Sequence, residues 1–318
     1  MNKKNRKKLI DPEISPQQIE LLNKEFYEKY YGDYFSTKLF VLGSMLSNTD
    51  KFTQTINEND INVGKYKVES EQINGETSDL IKYAKLELSV LYYHCIETFL
   101  RLFLAHVCIK PCPWLELSRD TNPKNFKDKI KSLSEGKFNF HYNNWTSDEL
   151  ITYIFYGTKD VESIQGLDNY LTLPQIALYL KNWIIWCSKE ILSVYDYNSF
   201  KHGMSVYSEF RGIKLGDSNG TKLEEHSDSL TFINKVPKEN QFIWKKKIVF
   251  TPLDYRAVLV HTIQFLMSNI INVGKFTYLG KPFNEIHFVG NNPNTFYKMA
   301  KTDNELGLSV ESYSVELK

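Results

Sequence analysis

Apolar residues recur at helical spacing over most of the chain and alternate with polar ones mainly between 206 and 250, so the pattern predicts a mainly α-helical bundle with an inserted antiparallel β-meander. Ser15-Pro16-Gln17-Gln18 reads as a helix start: a Ser cap, Pro at the first helical position and Gln completing a capping box, with the helix running to about Tyr31. Residues 33–46 predict a second helix. Residues 48–76 are polar, rich in Asn and Glu, and read as loop with one short extended piece near 66–68. Thr77-Ser78-Asp79 then opens the dominant element, an apolar helix continuing through Ile109 until Pro111 and Pro113 end it. Asn122-Pro123 and Thr146-Ser147-Asp148-Glu149 open two shorter helices, ending near Leu133 and at Gly157. The run from Leu173-Pro174 through Trp183, Trp186 and Leu192 predicts a further core helix.

Three β-leaning runs, 206–215, 229–236 and 242–250, are joined by Gly216-Asp217-Ser218-Asn219-Gly220 and Pro237-Lys238-Glu239-Asn240, which predicts a three-stranded meander. Thr251-Pro252-Leu253-Asp254 caps a last helix over 253–273, with Gly274 at its C-terminal boundary. Beyond Lys275 the pattern is mixed, with a turn at Asn291-Asn292-Pro293-Asn294. The expected organisation is a basic, disordered tail (1–14), N-terminal helices with a polar loop (15–76), a helical domain with a β insertion at about 206–250 (77–274), and a C-terminal extension of unassigned role (275–318).

With 318 residues, 42% of them hydrophobic, the chain can bury a substantial core without disulfide staples. Cys95, Cys108, Cys112 and Cys187 stand mostly inside or beside apolar runs, which suits a reducing compartment and predicts a cytoplasmic protein. Lys3, Lys4, Arg6, Lys7 and Lys8 are followed by no apolar h-region, so the tail does not read as a secretory signal. The apolar stretch 86–109 is interrupted by His94, Glu97, Arg101 and His106, which argues for a core helix and against a membrane span. A net charge of +1 gives no global attraction for nucleic acid, so capture of a polyanion falls to local patches.

Two constellations can carry chemistry. His94, Glu97 and Arg101 share one face of the long helix, and the i,i+4 spacing lets Glu97 and Arg101 pair. In Tyr197-Asn198-Ser199-Phe200-Lys201-His202-Gly203, Asn198 and His202 are i,i+4 neighbours if helical. A histidine titrating near neutrality beside a lysine suits proton transfer and charge stabilisation at a phosphodiester. The alternative is a helix cap at Asn198 and a core histidine at His202. Lys245, Lys246 and Lys247, next to Trp244, read either as a solvated edge strand or as a phosphate-backbone rail. Arg101 and His106 fit a bare Arg-x4-His pattern, but on a continuous helix they diverge by about 140°. Cys108, Cys112, His106 and His141 lack the tight paired spacing of a structural zinc site, and no metal or other cofactor is expected. The chain has no Walker A loop, dinucleotide Gly pattern or G-x-S-x-G elbow.

The segment from Asn198 to Gly203 resembles the motif of the HEPN superfamily, an Arg followed by a polar residue and, a few positions on, a His, often then Gly. Glu97 on a long apolar helix resembles the acidic position such domains carry. The similarity covers roughly 77–207, with 253–273 as a closing helix. Tyr197 stands where the family has Arg. The resemblance implies a helical bundle that pairs as a homodimer and, in many members, a metal-independent endoribonuclease of prokaryotic defence, including abortive-infection effectors. In that role His202 is the acid/base group, Asn198 positions it or the phosphate, Lys201 or Arg101 stabilises negative charge, and Glu97 orients Arg101. Tyr197, Lys245, Lys246 and Lys247 are the expected RNA contacts. Members without the Arg resemble inactive modules that bind RNA or a protein partner, and that alternative stays open. No membrane partner is expected.

Overall fold

The computed structural model describes residues 14–70, 76–107, 111–119, 123–140, 144–160, 171–193, 205–217, 220–239, 241–282, 286–290, 292–293 and 312–317. Among these the chain is mainly helical. Its elements in order are α1 (Pro16–Lys29), α2 (Tyr34–Ser47), α3 (Thr49–Glu58), β1 (Ile61–Val63), β2 (Tyr66–Val68), α4 (Thr77–Ala105), α5 (Pro113–Arg119), α6 (Pro123–Ser134), α7 (Ser147–Tyr156) and α8 (Leu173–Ser193). They are followed by β3 (Val206–Asp217), β4 (Gly220–Lys238), β5 (Gln241–Phe250), α9 (Leu253–Leu279) and β6 (Ser312–Glu316). The capping boxes expected at Ser15 and Thr146 are both formed: each side chain accepts from the N3 amide, and the N3 side chain accepts from the cap amide. Gly157 ends α7 in the left-handed region, at φ 73°.

The core is built around α4, from which Leu91, Cys95, Ile96, Phe99, Leu100 and Phe103 are fully enclosed. Helix α9 runs parallel to it: Arg256 meets Tyr92 and Tyr93, the Cys95 thiol donates to the Val260 carbonyl, and Tyr27 of α1 bridges His106 and Gly274. Helix α8 packs on α4, with Glu190 bonded to Tyr92. One apolar cluster joins these to α1, α2, α6 and α7. Helices α4 and α9 each contain an 18-residue window apolar enough to cross a membrane, and 67% of each window is buried inside this fold.

Several expectations need correction. The sheet has four antiparallel strands in the order β3-β4-β5-β6, because Ser312–Glu316 from the C-terminal stretch pairs along β5, with Ile248 opposite Tyr313. Strand β5 is therefore internal, and Lys245, Lys246 and Lys247 lie on no edge. Strand β4 begins at Gly220, straight after the turn, well before 229. Residues 49–58 form α3, whose few apolar positions hid it. Its contacts are polar: the Thr49 hydroxyl donates to the Met45 and Leu46 carbonyls, and the Thr53 and Thr77 hydroxyls lie 3.2 Å apart. Pro113 opens α5, where a missing N–H is harmless, and does not simply end the helix before it.

Gly274 is interior to α9, which continues to a left-handed cap at Gly280. A Cβ at Gly274 would stand 1.9 Å from the Tyr27 ring, so glycine here serves close packing. Tyr27 stacks on Tyr278 at 5.4 Å. Its hydroxyl meets His106 Nε2 at 2.8 Å, while His106 Nδ1 lies 2.7 Å from the Leu102 carbonyl. That carbonyl can only accept, so Nδ1 carries the proton and Nε2 accepts from Tyr27. Asn23 and Tyr278 both donate to the Pro111 carbonyl, tying the chain after α4 to α1 and α9.

Burial pushes the His106 imidazole down to about 4 from its ordinary 6.5. Between those values the unfolded chain takes up a proton that the folded chain refuses. The stability that depends on a neutral His106 is whole above pH 6.5 and declines as pH falls toward 4, by up to about 3 kcal/mol. Urea unfolding at pH 7 and pH 5 is expected to show wild type losing about 2 kcal/mol more than His106→Gln across that interval. Parallel losses in the two proteins would contradict it.

Candidate functional site

Where α4, α8, the start of α9 and the sheet converge, they leave a polar cleft of about 300 Å³. Tyr92 and Tyr93 of α4 form its floor, Trp186, Glu190 and Ser193 of α8 one wall, and Phe232, Lys247, Val249 and Ser312 of the sheet the other. Thr251, Pro252, Tyr255 and Arg256 close it at the start of α9. Periodicity puts these groups there. Glu190 continues the inward stripe of Trp183 and Cys187, and Arg256 precedes Leu259, Val260 and Ile263 on the buried face of α9.

Arg256 is 5% exposed. Its guanidinium carbon lies 5.1 Å from the Tyr92 ring centroid and 5.2 Å from that of Tyr93, and Nη2 donates to the Tyr93 hydroxyl at 3.4 Å. The Tyr92 hydroxyl donates to Glu190 Oε2 at 2.9 Å. Burial, reinforced by the Glu190 carboxylate, holds the Tyr92 phenol well above its ordinary range against the opposing pull of Arg256, so it remains a donor. Lys247 is half-buried, with Nζ 6.0 Å from the Phe232 ring. The first turn of α9 adds backbone N–H groups, and no side chain caps it at Pro252. Two cations and a helix N-terminus around one carboxylate suit an anionic group with a polar ester or hydroxyl nearby.

Glu97 and Arg101 pair as their spacing allows, Nε to Oε1 at 3.0 Å and Nη2 to Oε1 at 2.9 Å, and the guanidinium lies 3.9 Å from the Phe126 ring centroid. Neither lines the cleft: Glu97 and Arg101 follow Tyr93 by four and eight residues, roughly one and two turns farther along α4, where the guanidinium meets α6. His94 lies on the same face about two turns before Arg101, as its spacing requires, and packs there against α2 with its ring edge-on to Tyr34 and Phe35. His106 is committed to Tyr27 and Leu102. Of the lysine run only Lys247 lines the cleft. Tyr197, Asn198, Lys201 and His202 lie outside the described residues. The described chain reaches them from Ser193, a wall of the cleft, and resumes at Ser205, beside Val206, which packs with Phe232.

Sequence reasoning missed Tyr92, Tyr93, Glu190 and Arg256. The usable signal was a charged residue in phase with an apolar stripe, at Glu190 on α8 and at Arg256 on α9. No group of three or more His, Cys, Asp or Glu side chains able to hold a metal occurs among the described residues, which exclude Cys108 and His141. No protein-family model, curated protein or solved structure matches the chain.

Tyr92→Phe removes one donor and keeps the ring under Arg256. It is expected to lower stability by about 1.5 kcal/mol, the scale of a hydrogen bond to a charged group, in chemical denaturation at pH 7. A loss below about 0.5 kcal/mol would contradict the bond's role in fixing Glu190.

Proposed function

We propose that this chain is a HEPN-like, metal-independent endoribonuclease of the kind deployed in prokaryotic defence. The observation that carries the reading is the cationic cleft at the start of α9. Ser193 forms part of its wall, and Tyr197-Asn198-Ser199-Phe200-Lys201-His202-Gly203 begins four residues after it in the sequence.

The scissile phosphate occupies the cleft, where Arg256 and Lys247 stabilise the charge that builds on its non-bridging oxygens. His202 takes the proton from the ribose 2′-hydroxyl as that oxygen attacks the adjacent phosphorus. The departing 5′-oxygen takes up a proton from the medium or from the imidazolium so formed. The P–O5′ bond breaks as the P–O2′ bond forms, giving a 2′,3′-cyclic phosphate and a 5′-hydroxyl. Asn198 orients His202 or the phosphate, and Lys201 adds positive charge. Arg101, about two turns farther along α4 than the cleft and held by Glu97, is replaced by Arg256 in the charge-stabilising role, and Glu97 braces the helix. Two copies pair, as the resemblance implies, to bring two motifs together.

A second reading is favoured by one residue. Tyr197 in place of the motif Arg fits an inactive HEPN-like module that binds RNA or a protein partner without turnover.

Wild-type and His202→Ala protein incubated with a mixed RNA pool in EDTA separate the two. Cleavage by wild type alone, with 2′,3′-cyclic phosphate ends, is the expected result. Cleavage that survives His202→Ala, or that disappears on metal removal, would overturn the enzyme assignment, and RNA binding without any cleavage would establish the module.

A further inference from the structure

Side chains alternate across a strand, and the register sorts the sheet into two faces. Val206, Leu230, Phe232 and Val249 face Leu86 of α4 and form a small buried cluster. Tyr207, Phe242 and Trp244 point the other way, and they are 67%, 62% and 52% exposed; Ser229, Thr231 and Ile248 on that face are buried, so the open part is the end that carries Lys235, Phe242 and Trp244, with Tyr207 set apart on β3. An outward face of an antiparallel sheet is ordinarily polar, so three open rings on one such face mark a recognition surface.

The charges on that face select its occupant. Lys235, Lys246 and Arg211 share it with the rings; Glu209 on the same face is bonded to Arg211 and held below the usual carboxylate range chiefly by that bond, and position 225, the other glutamate the register assigns to this face, lies opposite Ile213 toward the β3-β4 turn, away from Lys235 and Trp244. Glu316 projects to the opposite face, where it pairs with Lys238. Lys235 Nζ sits 4.4 Å from the Phe242 ring centroid and 5.7 Å from that of Trp244, so cation and π-face are presented together. A second copy docked face to face would bring like charges together around its symmetry axis. A strand with unstacked bases and a phosphate backbone satisfies both features, and a duplex, whose base faces are hidden, satisfies only one.

We infer that the outward face of the β3-β4-β5-β6 sheet binds single-stranded RNA, with bases stacked on Trp244, Phe242 and Tyr207 and phosphates held by Lys235 and Lys246. The choice of RNA rests on the ribonuclease reading, and the surface names where the substrate strand is gripped away from the cleft. All five side chains lie on the sheet surface outside the core, so their replacement leaves the fold intact.

The test is fluorescence anisotropy of the full chain with a fluorescein-labelled, 2′-O-methylated single-stranded RNA, which has no 2′-hydroxyl to attack and so survives. Trp244→Ala and Phe242→Ala are each expected to weaken binding about 10-fold. Lys235→Gln and Lys246→Gln are each expected to reduce the slope of log affinity against log salt by about 0.7. Wild-type affinity and salt slope in all four variants would overturn the inference, as would an absence of binding by wild type. Conversion of a dimer to a monomer by Trp244→Ala in sedimentation, with RNA affinity unchanged, would also overturn it and assign the face to a second copy. Variant-sensitive binding by a protein that cleaves no RNA would contradict the ribonuclease assignment and leave this one standing; cleavage in EDTA with affinity indifferent to all four substitutions would do the reverse.

Discussion

The fold depends on the close, parallel packing of α9 against α4. Parallel neighbours cannot be joined by a short turn, so the chain leaving α4 must travel the length of the bundle before it can start α9. It does so through α5 to α8 and then the strands β3 to β5, which is why the sheet lies against the earlier part of α4 and hands the chain straight to the start of α9. At the far end the two helices are held through Tyr27, which lies over the bare Gly274 backbone, stacks on Tyr278 and donates to His106. At the near end Arg256 lies over the Tyr92 and Tyr93 rings. One end of the pair is closed by a neutral hydrogen bond, and the other is left open and charged.

That difference concentrates the chemistry. A buried arginine in the first turn of a helix is unfavourable both for desolvation and for its position at the positive end of the helix dipole. Its contacts there are two tyrosine π-faces and the Tyr93 hydroxyl, while the Glu190 carboxylate, held by Tyr92, lines the same cleft. Such an arrangement costs folding energy that an apolar residue would not, and it is intelligible as a pre-set receptor for an anion. The Glu97–Arg101 pair contrasts with it. With carboxylate, guanidinium and the Phe126 ring mutually engaged farther along α4, away from the cleft, it reads as a brace between α4 and α6.

Much of the helical frame was legible because it is written in local rules. Ser15 and Thr146 announce helix starts through capping boxes, Gly157 announces an end, and the stripes of α4, α8 and α9 are long enough to fix their period. What could not be read depends on contacts distant in sequence. Gly274 looks like a helix stop until Tyr27, on α1, is seen to occupy its missing side chain. Ser312–Glu316 is too short to declare itself a strand without β5 beside it. Pro113 reads as a terminator and is an initiator. The cleft was hidden for the same reason, since Tyr92, Glu190, Lys247 and Arg256 come from four elements and share no motif, whereas the compact Asn198–His202 pattern is conspicuous in sequence alone.

The claim that the scissile phosphate lies in the cleft at the start of α9 is tested most directly by single-turnover RNA cleavage rates of Arg256→Gln and Arg101→Gln, with near-UV circular dichroism confirming the fold of each. Arg256→Gln is expected to slow cleavage by about 100-fold, the scale of losing one charge-stabilising donor, while Arg101→Gln stays within about threefold of wild type. Equal losses in the two variants, or a loss confined to Arg101→Gln, would contradict it.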